Sequence, residues 1–292
     1  MASKLAFLEW RDSFKEIKLG TDSLWYVAMS GFGNSKDTKT GSVRPDQKSW
    51  ECLAITLNPK AERYQNFLEN NSHLKIETFQ GIIGSDMTKQ EIVERGLATR
   101  ELAFSPLLKK GAIGCSASHK AIWDKAAEGS TGYFVLEDDC YTHPKVANFI
   151  NNHLSILMNN DICFFGINTN SILLSTSPKG LVSLSLFDPK HPSQEWIKNA
   201  LSKTTIEEVV LHRLFKAFGY CAYFISPRGA RRLSQKIFPL STKTTQIPLI
   251  TENMPACGLD RAANGLYSEL QANVCQPFLA YTPNIDSSTQ EQ

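Results

Sequence analysis

The chain has 292 residues, of which 42% are hydrophobic and 21% charged, and its net charge is +2. That length suits one large α/β domain or two small ones, and the composition excludes extensive disorder away from the ends. So small a net charge argues against nucleic acid as the main partner, and no apolar run approaches the ~20 residues a membrane span needs.

The opening stretch, MASKLAFLEWRDSFKEIK, lacks the basic start and apolar core of a signal peptide, so none is expected. The chain ends SSTQEQ, without a retrieval signal. The cysteines, Cys52, Cys115, Cys140, Cys163, Cys221, Cys257 and Cys275, are odd in number and include no C-x-x-C pair. A zinc site or disulfide framework is therefore not expected. Most sit in apolar contexts, where a thiol behaves as a small hydrophobe, and a reducing cytoplasm is the expected location.

Residues 3–19 read as a short amphipathic helix that either docks on the domain or grazes a membrane surface. A strand is expected at 23–29 and a polar, glycine-rich loop at 30–49. ECLAITL (51–57) is a buried strand stopped by Asn58-Pro59. A helix follows over 60–71, with Ala61, Tyr64 and Leu68 at helical spacing, and then a strand over 74–82. Residues 87–104 read as one helix ended by Ser105-Pro106. The segment 107–132 opens with glycines and becomes a helix capped by Ser116 or Ser118. YFVLEDD (133–139) is the third strand, 145–158 a helix with an apolar stripe, and DICFFGI (161–167) a fourth strand. Residues 169–205 carry weak signals and read as loops and short strands over the active face. GYCAYFIS (219–226) is a strand, followed by a helix with Ser226 as N-cap and Pro227 at its first position. ANVCQPFLAY (272–281) reads as one short strand. Strands alternating with helices predict an α/β fold with a mostly parallel sheet.

The strand at 133–139 runs straight into Glu137, Asp138 and Asp139. Adjacent carboxylates repel, and burying them is costly without a cation or donor. Strand alternation would put Glu137 and Asp139 on one side, about 6.6–6.8 Å apart, with Asp138 pointing away. Such a pair at a strand's carboxyl end suits a hard divalent cation bound to a diphosphate. A solvated strand end explains the same residues. Gly111 and Gly114 in GAIGCSASH either cradle a phosphate before a helix or are ordinary loop glycines. His119 is either catalytic or packed, and Trp123 is expected in the core.

Four blocks in this order resemble glycosyltransferase family 25, which includes bacterial lipooligosaccharide galactosyltransferases and procollagen galactosyltransferases. They are ITLNPKAERYQNF with Arg63, GAIGCSASHKAIW with Gly114, Ser118, His119 and Trp123, FVLEDD, and GYCAYFISPRGARRL with Gly219, Tyr223 and Ser226. The resemblance implies a GT-A-like single domain over 50–282, with an N-terminal extension at 1–49 and a flexible tail at 283–292. It implies a UDP-sugar donor, most often UDP-galactose, a saccharide or glycolipid acceptor, and inverting transfer in surface-glycan synthesis such as lipopolysaccharide. It also implies a cytoplasmic enzyme, with peripheral membrane association open.

By the same resemblance Asp139 ligates Mn²⁺ or Mg²⁺, Glu137 faces the ribose or a metal-bound water, and Asp138 braces the loop. Glu137 and Asp139 are thus the expected metal pair. Arg63, Gly114, Ser118, His119, Glu137, Asp138 and Tyr223 form the expected donor-binding set. Asp260, in CGLDRAANGLY, is the first candidate base, followed by Glu252 and His119; a helix-capping role is the other reading of Asp260. The first 50 residues, the segment 169–205 and the setting of Asp260 depart from the family pattern. The competing readings are a sugar-phosphate nucleotidyltransferase and an inactive carbohydrate-binding relative.

Overall fold

The structure, a computed structural model, describes residues 50–176, 181–188, 190–250 and 253–283. The expected helix at 3–19, strand at 23–29 and loop at 30–49, Glu252, and the tail from 284 lie outside the described residues.

The strands are β1 (Trp50–Thr56), β2 (Ile76–Gln80), β3 (Gly132–Glu137), β4 (Tyr141–Thr142), β5 (Ile162–Gly166), β6 (Leu173–Thr176), β7 (Val182–Ser185), β8 (Val210–Lys216), β9 (Ala222–Ile225), β10 (Thr244–Thr245), β11 (Met254–Pro255), β12 (Ala272–Gln276) and β13 (Ala280–Tyr281). The helices are α1 (Glu62–Asn70), α2 (Lys89–Glu94), α3 (Arg100–Ala103), α4 (Lys110–Glu128), α5 (Val146–Asn159), α6 (Gln194–Lys203), α7 (Pro227–Ile237) and α8 (Leu259–Asn264).

Nine strands form one sheet in the order β2-β1-β3-β9-β5-β12-β8-β6-β7. β1 lies parallel to both β2 and β3. β9 is inserted antiparallel between β3 and β5, and β12 runs parallel to β5. The expected α/β class holds, with an antiparallel half added at the β8-β6-β7 side.

Both faces are covered. Tyr133 and Val135 of β3 pack into a core shared with α4 and α7, while Phe134 and Leu136 pack into a second core shared with α1 and α5. That is the period-two alternation of a strand buried on both sides. Trp123 is wholly buried, as expected. Six of the seven cysteines are buried and Cys115 is partly exposed, which fits thiols serving as small core residues.

Several elements differ from expectation, each for a local reason. The helix expected over 87–104 is split into α2 and α3, because Gly96 takes φ +63° and ends the first. Thr88 and Glu91 form a capping box at the start of α2, and Thr99 caps α3. The segment 169–205 holds α6, capped by Ser193, as well as β6 and β7, which extend the sheet edge instead of covering the active face. β8 carries His212 and Lys216 at buried positions on either side of buried Leu214, so its apolar alternation is interrupted in the sequence. Residues 272–281 form two strands, broken by Pro277, whose missing N–H cannot join a ladder.

The largest difference lies in α4. It begins at Lys110, so Gly111 and Gly114 belong to the helix and do not form a loop. Ser116 and Ser118 are interior and donate to the Ala112 and Gly114 carbonyls at 2.7 and 2.8 Å. The glycine at 114 serves close approach. A methyl group there would lie 2.6 Å from the Ile82 carbonyl oxygen and 2.7 Å from the Gly84 nitrogen. We therefore expect Gly114→Ala to destabilise the fold by about 1–3 kcal/mol, despite alanine's better helix propensity. Gly129→Ala, whose new methyl group would meet nothing closer than 3.8 Å, is the control. Denaturant midpoints of the two variants check this.

Candidate active site

The carboxyl ends of β1, β2 and β3 open on a cavity of about 540 Å³. The chain leaves β1 for β2 on one side and reaches β3 on the other, so the cavity lies where strand order reverses, the usual ligand position in open α/β sheets. The N-terminal turn of α4, the loop at 218–220 and the start of α8 complete its walls.

The acidic triplet does not continue the strand. β3 ends at Glu137, and the Cys140 N–H donates to the Glu137 carbonyl at 3.1 Å, which closes a turn. Asp138 and Asp139 therefore leave the strand's alternation and share one cation. Arg63 Nη2 lies 2.8 Å from Asp138 Oδ1 and 3.4 Å from Asp139 Oδ2. Thr56, at the end of β1, donates to Asp138 Oδ2 at 2.7 Å and ties the two strand ends together. The expected opposition of Asp138 and Asp139 is thus corrected. Burial, with repulsion from Glu137, pushes the Asp139 carboxyl up to about 6, against the pull of Arg63 and a Thr282 hydrogen bond. Asp139 Oδ1 is buried and has no hydrogen-bond partner. Arg63, Asp138 and Asp139 also line a second cavity of about 340 Å³ on the other side of the turn.

Glu137 takes a different partner. Its Oε1 lies 3.4 Å from His119 Nε2, while His119 Nδ1 meets the Tyr223 hydroxyl at 2.8 Å. Trp123 Nε1–H donates to the same hydroxyl at 3.0 Å. Tyr223, expected in the donor-binding set, is wholly buried and does not line the cavity. Its place is behind His119, whose ring it orients. Gly114, Ser118 and His119 do line the cavity, and Ser118 Oγ accepts from the Ile82 N–H at 2.8 Å.

Asp260 stands in the first turn of α8, on the cavity wall. The Gly219 N–H donates to its Oδ1 at 3.1 Å. Gly219 has φ +91°, and a side chain there would strike Asn168 Oδ1, so only glycine presents its N–H in this way. Asn264 clamps the loop to the helix, accepting from the Ala217 N–H at 3.0 Å and donating to the Ala217 carbonyl at 2.7 Å. Burial raises the Asp260 carboxyl to about 6; Glu137 adds to the rise, while the Gly219 bond, His119 and Arg261 oppose it. The cap position of α8 is Gly258, and Asp260 stands two residues inside the helix.

The structure thus brings Arg63, Gly114, Ser118, His119, Glu137, Asp138, Asp139 and Asp260 to one cavity. Sequence reasoning missed Thr56, Cys115, Asn168 and Thr282, which line it as well. Cys115 had a readable signal, one helical turn before His119. The other three are polar residues at strand or loop ends whose partners are distant in sequence.

An α/β domain with acidic residues at the carboxyl end of a sheet strand is consistent with a GT-A-like architecture. The model of glycosyltransferase family 25 (LPS biosynthesis protein) matches residues 51–247, and the chain belongs to that family. It is a glycosyltransferase, with a sugar donor and an acceptor as substrates. Among curated proteins none matches the chain. Among the described residues no helix is long and apolar enough to cross a membrane.

Proposed function

We propose that the chain transfers a hexose, galactose first among the candidates, from a UDP-sugar to a saccharide acceptor with inversion, in surface-glycan synthesis. The observation that carries this reading is the Asp260 carboxyl, sunk in the cavity wall and raised to about 6. A base that is stronger than an ordinary aspartate yet ionised at neutral pH suits proton removal from a sugar hydroxyl.

In this reading Asp260 takes the acceptor hydroxyl proton as the oxygen attacks the anomeric carbon. The bond from that carbon to the diphosphate breaks, and UDP leaves with the electron pair on the face opposite the attack. Arg63 and the positive end of the α4 dipole face the leaving diphosphate. His119, held by Tyr223, fixes the Glu137 carboxylate, so neither needs to reorganise during transfer.

The acid turn fits a hard divalent cation, because it offers carboxylate oxygens and one of them, Asp139 Oδ1, is buried without a partner. Asp139 would hold Mn²⁺ or Mg²⁺, while Asp138, whose oxygens meet Arg63 and Thr56, would brace the turn. Glu137, the other member of the expected metal pair, has its Oε1 3.4 Å from His119 Nε2. A cation bound there supplies positive charge against the charge developing on the diphosphate.

The test is release of UDP from a panel of UDP-sugars, with water as default acceptor, with and without Mn²⁺. Slow Mn²⁺-dependent release from one sugar is expected and identifies the donor. A chain that forms sugar nucleotides from sugar phosphates, and releases no UDP, contradicts the proposal.

A further inference from the structure

Cys115 and His119 stand one turn apart on α4, and both line the cavity. Residues four apart share a helix face. Glu137, at the end of β3, completes a group of three. The Cys115 sulfur, a His119 ring nitrogen and a Glu137 carboxylate oxygen all lie within 4.8 Å of one another.

We propose that Cys115, His119 and Glu137 form a binding site for Zn²⁺. A tetrahedral ion with bonds of about 2.0–2.3 Å holds its ligands about 3.3–3.8 Å apart. The group must close by at most about 1.5 Å to reach that geometry, a movement within reach of side-chain rotation. Thiolate, imidazole and carboxylate together select a borderline ion such as Zn²⁺, whereas Mg²⁺ and Mn²⁺ prefer oxygen ligands. One thiolate and one carboxylate also neutralise the ion's charge.

The surroundings support the site. A histidine that ligates metal usually has its other ring nitrogen held by a hydrogen bond. Here the Tyr223 hydroxyl oxygen, 2.8 Å from Nδ1, can accept from the Nδ1–H as well as from Trp123, which leaves the Nε2 lone pair for the ion. Cys115 is the one cysteine of the seven that is not buried. Although the residue is partly exposed, desolvation of its sulfur and the charges of Glu137 and Asp260 raise the thiol pKa, so the ion must displace that proton on binding.

This site differs from the acid turn, whose carboxylates are paired with Arg63. A search for C-x-x-C pairs could not find it, because its ligands mix sulfur, nitrogen and oxygen from a helix and a strand. Zn²⁺ here would hold Glu137 and His119 and place positive charge near Asp260, so it inhibits transfer. The inhibition rests on the transferase mechanism proposed above; the binding does not.

Metal-free full-length protein is titrated with Zn²⁺ against a chromophoric chelator, and separately with Co²⁺. Stoichiometric Zn²⁺ binding, a thiolate-to-cobalt charge-transfer absorption, and protection of Cys115 from alkylation by bound Zn²⁺ are expected. Cys115→Ser should abolish the absorption and weaken Zn²⁺ binding at least ~10-fold. Tyr223→Phe should weaken binding about 10-fold while the absorption remains. Binding without the thiolate absorption, full alkylation of Cys115 with Zn²⁺ present, or unchanged affinity in Cys115→Ser overturns the proposal. Should Cys115→Ser not fold, the absorption and the protection in the unaltered protein decide. In the same samples Zn²⁺ should suppress Mn²⁺-supported UDP release. Zinc binding in a protein that, freed of zinc, fails to bind UDP with Mn²⁺ present overturns the transferase mechanism and leaves the zinc site standing.

Discussion

Asp260→Asn should abolish turnover and strengthen the fold. A general base contributes about 10²–10⁴-fold to rate, and the amide cannot accept the acceptor's proton, so kcat should fall by that factor. The amide oxygen can still accept from the Gly219 N–H, so the loop keeps its anchor. Stability moves the other way. Burial raises the Asp260 carboxyl from 3.8 to about 6, so its ionised form destabilises the fold. A shift of that size corresponds to about 3 kcal/mol at most, because each unit is worth about 1.4 kcal/mol.

The sign follows from linkage. The folded protein holds this proton more tightly than the unfolded chain. The stabilising contribution is therefore complete below the unfolded value of about 4, and it is lost as pH rises through about 6. The amide has no such proton to lose. The two proteins should melt alike at pH 4, and the variant should melt higher at pH 8. Activity of the unaltered enzyme should fall at least tenfold per unit below about pH 6, where Asp260 and then Asp139 take up protons. Melting curves and pH–rate profiles check both arms. Full turnover by Asp260→Asn would remove Asp260 as the base, and a variant less stable at pH 8 would show the ionised carboxylate to be a structural anchor.

Asp139→Asn should lose Mn²⁺-dependent UDP release by about 10²–10³-fold or more, the scale of removing one preorganised electrostatic contact to the leaving group. The fold should survive. Asp139 sits beside two other carboxylates, and Arg63 remains paired with Asp138 after the change. Titration of Mn²⁺ into the hydrolysis assay separates the cases: the unaltered enzyme responds to the metal and the variant does not. Turnover at the unaltered rate by Asp139→Asn would mean that the acid turn is a braced strand end without a catalytic part.

Much of the fold was legible because local pattern and tertiary burial agree. β1 and β3 are continuous apolar runs, and both are buried on two faces. α7 begins at Ser226-Pro227, where the serine hydroxyl accepts from the Gly229 N–H at 3.0 Å. Where the reading erred, local and tertiary signals conflict. Ser116 and Ser118 are good capping residues, but they lie inside a helix whose true first turn tolerates glycine for the sake of close packing. β8 hides because histidine and lysine occupy its buried positions. The acidic triplet was read two residues too far along the strand, since nothing in LEDD marks the turn closed by Cys140.

The site was legible in part. The family motifs bring Arg63, His119 and the acids to one cavity, but their pairing is not local. Asp138 and Asp139 share an arginine about 75 residues upstream. Asp260 owes its raised carboxyl to burial and to Glu137, which no spacing rule connects to it. Tyr223 belongs to a motif yet supports His119 from behind, a distinction only packing reveals.

Calorimetric titration of UDP into the unaltered protein, with and without Mn²⁺, tests the central claim most directly. The account predicts that UDP binds and that Mn²⁺ tightens it at least about 10-fold, because cation and nucleotide diphosphate share the acid turn. Absence of UDP binding with Mn²⁺ present would contradict it.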